Sequence, residues 1–133
     1  MKNILALLTA ITVSASGADF NDFCKALAKV ESSGNPLAYN KAERAIGLLQ
    51  IRPAYFKDAQ AFDSELSRFS HKDCYNPQVA KRVVWAYMSK YEPTALKSND
   101  FQVLARTHNG GCGFRKNLKL TNGYWSKVAK HLN

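Results

Sequence analysis

Acidic side chains are scarce in this chain of 133 residues. Ten Asp and Glu stand against nineteen Lys and Arg, a formal net charge of +9 at neutral pH. Residues 101–133 contain no acid at all. Glycine and proline are few, seven and four, which excludes a collagen-like repeat and a low-complexity linker. Hydrophobic residues make up 46% of the chain, too many for a disordered one. The length leaves room for one compact domain and none for a separate cofactor domain. The P-loop, the Rossmann glycine pattern and the Gly-x-Ser-x-Gly elbow are all missing, so nucleotide-binding and serine-hydrolase templates find no support. No cofactor is implied.

What is present begins with a leader. Lys2 gives a positive start, Ile4 to Val13 is apolar apart from Thr, and Ser16-Gly17-Ala18 supplies small residues. That is the layout of a cleavable secretory signal peptide over residues 1–18. The apolar run is too short to span a bilayer, and no lipid-anchorable Cys follows it. The remaining domain, 19–133, is then exported, secreted or periplasmic, with no stable membrane anchor. Its positive charge calls for an anionic partner. A nucleic-acid binder would show similar basic and aromatic residues, but no nucleic-acid motif occurs and export argues against one.

Only three cysteines occur, Cys24, Cys74 and Cys112. In an exported chain one disulfide and one odd thiol are expected, and all three pairings stay open. Closing any of these loops contributes roughly 3–5 kcal/mol. His71-x-x-Cys74 and His108-x3-Cys112 have zinc-compatible spacing, but one Cys in each half and an oxidising destination speak against a metal.

Periodicity predicts a mainly α domain with little or no β-sheet. Phe20, Phe23, Cys24, Leu27, Val30 and Glu31 share one helical face, with Asp19 or Asn21 as cap and Ser32-Ser33-Gly34 as the end. A weaker short helix follows Pro53. Asn76-Pro77 opens a third, with Ala80, Val83, Val84, Tyr87, Met88 and Tyr91 in register, and Glu92-Pro93 stops it. Ser98 or Asn99 caps a fourth, with Phe101, Leu104, Ala105 and His108 in register until Gly110-Gly111. Thr121-Asn122-Gly123 lead into the last, with Tyr124 and Val128 facing in. Ile46 to Ile51 is too short and Gly-containing for a firm strand but can pair briefly.

Among the ten acids, Glu31 stands apart because it lies on an apolar stripe, where burial disfavours its ionised form and raises its pKa. A general acid working near neutral pH needs that property. The helix ends immediately after it, so the carboxyl can look into a cleft. Sequence alone leaves equal room for a helix-end Glu turned to water.

Four segments then form an ordered series: Val30-Glu31-Ser32-Ser33-Gly34-Asn35-Pro36, Ala45-Ile46-Gly47-Leu48-Leu49-Gln50-Ile51, Thr107-His108-Asn109-Gly110-Gly111 and Tyr124-Trp125-Ser126-Lys127-Val128. Together they resemble the soluble lytic transglycosylase (SLT) family of lysozyme-like proteins over nearly the whole mature chain. The resemblance implies a lysozyme-like fold, helical lobes around a glycan-binding cleft. It implies that Glu31 protonates the β-1,4 glycosidic oxygen between N-acetylmuramic acid and N-acetylglucosamine in peptidoglycan. The same Glu would then act as base, leaving a 1,6-anhydro sugar. Gln50 matches a sugar-contacting cleft residue, and Asn109 and Gly110 match the cleft floor. Ser32 or Ser33 would bond Glu31 or an acetamido group, and Tyr124 also belongs to the expected substrate site. His108 stands where the family often has Tyr, and holds the Glu only in the right tautomer.

Two readings compete with the transglycosylase. A hydrolytic lysozyme needs a second carboxylate, for which Glu43 is the candidate; a solvated loop charge beside Arg44 is the simpler account of Glu43. A non-catalytic glycan-binding module would keep the cleft without the chemistry. The partner expected in each case is the peptidoglycan strand, met by a monomer.

Overall fold

The computed structural model describes residues 17–132; the signal-peptide reading lies almost wholly outside the described residues. Among those described, six α-helices and a two-stranded ribbon build the mainly α, lysozyme-like architecture that the sequence leads one to expect.

Helix α1 spans Phe20–Ser32. Asp19 caps it, and the backbone N–H of Asp22 donates to its carboxylate at 2.9 Å. Asp22 returns the contact by accepting from the Asp19 N–H at 3.0 Å, completing a capping box. Phe23, Ala26 and Leu27 bury one face. The helix closes on Ser33 in the left-handed region (φ 53°), and the Gly34 N–H reaches back to the Ala28 carbonyl at 3.1 Å.

The short pairing expected near Ile46 is a ribbon of β1, Tyr39–Asn40, against β2, Ala45–Ile46. Ile46 also bridges to Ile51, folding segment 46–51 into a tight loop. Gly47 makes that loop possible. Its φ is +81°, and a Cβ there would run into the Cys74 carbonyl.

Helix α2, Pro53–Phe62, starts with Pro at its first turn, where a missing N–H costs nothing. Two 3₁₀ turns, Ser64–Arg68 and His71–Tyr75, lead to α3, Pro77–Tyr91. Asn76 caps α3 by accepting from the Gln78 N–H at 2.8 Å. Pro93 does not end helical structure here but opens α4, Pro93–Ser98. The expected caps of the next helix shift accordingly. Asn99 is the left-handed end of α4 (φ 56°), and Asp100 caps α5, Phe101–Gly110. The last helix, α6, runs Lys119–Lys130 and so starts before the Thr121-Asn122-Gly123 signal. Packing overrides the propensity penalty of Gly123 inside it, since Thr121 and Val128 are buried on either side.

Helix α2 packs on α3, α5 on α6, and α6 on α1. The shared core includes Leu27, Leu49, Leu66, Met88, Leu104 and Val128. The expected disulfide is absent among the described residues, where all three cysteines are free thiols. Cys24 and Cys74 serve as small buried core residues, while Cys112 is exposed on the turn after α5. Burial pushes the Cys24 and Cys74 thiols up to about 12, keeping them protonated.

Candidate active site

The site forms where the end of α1, the 40–52 loop, the end of α5 and one residue of α6 meet. A small cavity of about 140 Å³ is lined by Glu31, Asn40, Glu43, Gln50, Arg52 and Asn109, with His108 at its back. Glu31 is the penultimate residue of α1, and its side chain is only 20% exposed. Burial raises its pKa from the usual carboxylate range to about 7. The Tyr124 hydroxyl, donating to Oε2 at 2.7 Å, and the Arg52 charge oppose that rise. Glu43, the other carboxylate at the cavity, adds to it.

His108 is buried, and that burial holds its pKa down to about 4, so the ring is neutral at physiological pH. Its Nε2 lies 2.9 Å from the Leu49 carbonyl, which can only accept; Nε2 therefore carries the proton. Nδ1 is then free to accept from the Tyr55 hydroxyl at 2.9 Å. Tyr55 is itself stacked on Tyr87, with ring centres 3.8 Å apart. The Nε2–H also lies 3.5 Å from Glu31 Oε2. This contact is a neutral donor beside the carboxyl and not an ion pair. Arg52 completes the back wall by donating to the His108 carbonyl at 3.1 Å.

A family model described as Destabilase matches residues 20–131. The chain belongs to the Destabilase family. The match takes in every helix of the fold and every group just described at the cavity. The chain is also similar to Lysozyme 1 of Crassostrea virginica, 29% identical over 106 residues. Those residues are 78% of this chain and 55% of the relative, so the chain spans about half the length of that relative. The lysozyme-like character expected from the four motifs therefore stands, and the family in which it stands is Destabilase.

The sequence-derived site residues of this Destabilase chain fall into two groups. Glu31, Glu43, Gln50, His108 and Asn109 converge on the cavity, and Tyr124 bonds Glu31 from α6. Gln50 is in the left-handed region (φ 53°), and its amide nitrogen donates to Gly47 at 3.1 Å and Ala38 at 3.4 Å. Its side chain thus closes the loop that forms the cavity wall.

Ser32, Ser33 and Gly110 lie outside the lining. The Ser32 hydroxyl does not bond Glu31; it is spent on the Leu48 carbonyl at 2.8 Å and the Ala28 carbonyl at 3.1 Å. Ser33 is the exposed left-handed cap of α1. Gly110 lets α5 approach α6, since a Cβ there would sit 2.9 Å from the Thr121 methyl.

Arg52, Tyr55 and Asn40 escaped the sequence reading. Arg52 precedes Pro53, which holds it extended at the entry to α2 and aims it at α5. Tyr55 reads only as one more apolar position of a short helix. No spacing rule links it to His108, 53 residues away. No cluster of three or more His, Cys, Asp and Glu with metal-binding geometry occurs among the described residues. His71 instead uses Nε2 on the Ile51 carbonyl at 2.7 Å.

Proposed function

We propose that this protein is an exported muramidase that cleaves the β-1,4 bond between N-acetylmuramic acid and N-acetylglucosamine, with Glu31 as general acid. One observation carries the reading: Glu31 is a carboxyl held mostly protonated below about pH 7, set in a polar cavity and gripped by Tyr124. Family membership and the lysozyme name of the relative support it. Glu31 passes its proton to the bridging oxygen as the bond from that oxygen to the anomeric carbon breaks. Positive charge grows on the sugar ring in that step, and the ionised cavity carboxylate steadies it. The neutral His108 adds no competing cation beside the Glu.

The chemistry of the second half follows from Glu43. We assign it the role of second carboxylate in a hydrolytic lysozyme. It takes the proton from an attacking water, and the water oxygen bonds to the anomeric carbon. Two facts support the assignment: Glu43 lines the same cavity as Glu31, and its charge is felt there as an upward push on the Glu31 pKa. In this reading Asn109 and the amide oxygen of Gln50, both at the cavity lining, hydrogen-bond the sugar's polar groups, and Ser32, Ser33 and Gly110 shape the surrounding backbone.

The lytic transglycosylase is the second reading. The observation in its favour is that Glu43 is exposed on its loop, whereas the Glu31 side chain is only 20% exposed at the cavity and its pKa is pushed up by that burial. There Glu31, once ionised, takes the proton of the muramyl 6-hydroxyl, which closes onto the anomeric carbon.

Mass spectrometry of digested peptidoglycan separates these readings. Reducing muramic ends mean hydrolysis, anhydro ends mean transglycosylation, and intact glycan means a binding module. The positive surface draws the enzyme to the anionic wall by long-range attraction that salt weakens.

A further inference from the structure

The largest cavity among those described is not the one at Glu31. It holds about 540 Å³ and lies between α1, the start of α3 and residues 48–49. That is within the roughly 300–1,000 Å³ of small-molecule sites. Its floor is apolar: Cys24, Ala28, Leu48, Leu49 and Pro77. Its rim carries Lys25, Lys29 and Lys81, and no Asp or Glu lines it. Lys25 and Lys29 are one helical turn apart on the exposed side of α1. Lys81 crosses from α3, and its ammonium donates to Asn21 Oδ1 at 2.9 Å, a neutral partner that leaves the charge uncompensated. None of the three lysines is in a salt bridge among the described residues. The acids at the start of α1, Asp19 and Asp22, accept each other's backbone N–H in the capping box and do not line the cavity, although the Lys25 charge is felt at Asp19.

We propose that this cavity is a binding site for a free single-chain fatty acid, its alkyl chain on the apolar floor and its carboxylate at the three lysines. Charge selects an anion, because every charged group at the rim is positive. The floor selects a chain, because the Cys24, Ala28, Leu48, Leu49 and Pro77 side chains give a sugar or a bare anion little to hydrogen-bond; the polar lining beyond the lysines is two amides, Gln78 and Asn21, and Asn21 is already engaged by Lys81. A free ligand fits better than a membrane surface. Of the large exposed apolar side chains, Leu37, Tyr39, Phe62, Trp85, Leu118 and Leu120, none lines the cavity, and Trp85 alone is near it, in the adjoining groove beyond Lys81 and Gln78, so no apolar collar surrounds the opening for insertion into lipid. The site does not depend on the muramidase reading. It does share a wall with the other cavity: Leu49 lines this one, and its carbonyl accepts from His108, which lines the other.

Calorimetric titration of the whole protein with laurate below its micelle concentration tests the proposal. The expected result is saturable binding at one site that Lys25→Glu/Lys29→Glu weakens by about tenfold or more, as loss of paired charges at a binding site does. Lys127→Glu/Lys130→Glu, on the exposed side of α6, leaves it unchanged. Ala28→Trp, which fills the floor, abolishes it; if that variant does not fold, the lysine pairs decide alone. The proposal is overturned if laurate does not saturate, if dodecyltrimethylammonium binds equally well, or if both lysine pairs weaken binding alike. Capture by anionic phospholipid vesicles with no response to laurate overturns it as well, and assigns the lysines to a membrane surface.

Discussion

The Tyr124 hydroxyl meets the Glu31 carboxylate at 2.7 Å across 93 residues of chain, joining the last helix to the end of the first. Burial of Glu31 favours the protonated acid, and this hydrogen bond favours the ionised form. The carboxyl is thereby poised near neutrality, where a group can both give and regain a proton. Tyr124→Phe removes the opposing pull without changing shape. The Glu31 pKa then rises further, and the alkaline limb of the activity profile moves to higher pH. A pH–rate profile of wall lysis checks the direction; an unmoved limb would assign the hydroxyl a purely structural role.

Glu31 also makes stability depend on pH. Its native pKa of about 7 lies above the ordinary 4.5, so the folded protein holds a proton that the unfolded chain has released. Stability is therefore lost as pH rises from the lower value through the upper one, by about 3 kcal/mol in all. Glu31→Gln has no charge to bury. It should unfold at higher temperature than the parent above neutrality, and the advantage should vanish where both states are protonated. Thermal melts across that range measure it.

His108 gives the opposite limb. Its native pKa of about 4 lies below the ordinary 6.5, because the neutral ring is buried. Stability is lost as pH falls through that window, again by about 3 kcal/mol. Tyr55→Phe leaves Nδ1 without its donor and should cost about 1–3 kcal/mol, the usual penalty for an orphaned buried acceptor. Denaturant titrations near neutral pH read that loss directly.

Glu43→Gln separates the two chemistries. In a hydrolase that uses Glu43 to activate water, kcat should fall by about a hundredfold or more while wall binding persists. In a transglycosylase the same change should alter kcat little. Reducing-end release, followed with time, distinguishes these outcomes.

Much of the fold was legible because helical periodicity reports burial directly. The faces through Phe23 and Leu27, and through Val83, Val84 and Tyr87, are buried as expected. The caps at Asp19 and Asn76 were readable for the same local reason. The errors lie where local signals compete. Glu92-Pro93 stops one helix and starts another, since Pro suits a first turn as well as a break. Cysteine parity implies a disulfide only if the side chains meet, and Cys112 remains exposed on its turn while the other two are buried in the core.

At the site, Glu31 was recognisable from its place on an apolar stripe. Tyr124, Glu43 and His108 entered only through the family resemblance, and Arg52 and Tyr55 were not legible, because their action is non-local. Tyr55 acts through His108, and Arg52 through the end of α5. Ser32 was placed at the site by its neighbour in sequence, but its hydroxyl is turned to the Leu48 carbonyl by the closing turn of α1.

The most direct test compares Glu31→Gln with the parent on purified peptidoglycan, scoring released sugar and co-sedimentation in one sample. The expected result is a variant that still sediments with the wall and releases no muramyl fragments. Lysis by the variant at the parental rate would contradict Glu31 as the proton donor, and with it the account of how this cavity works.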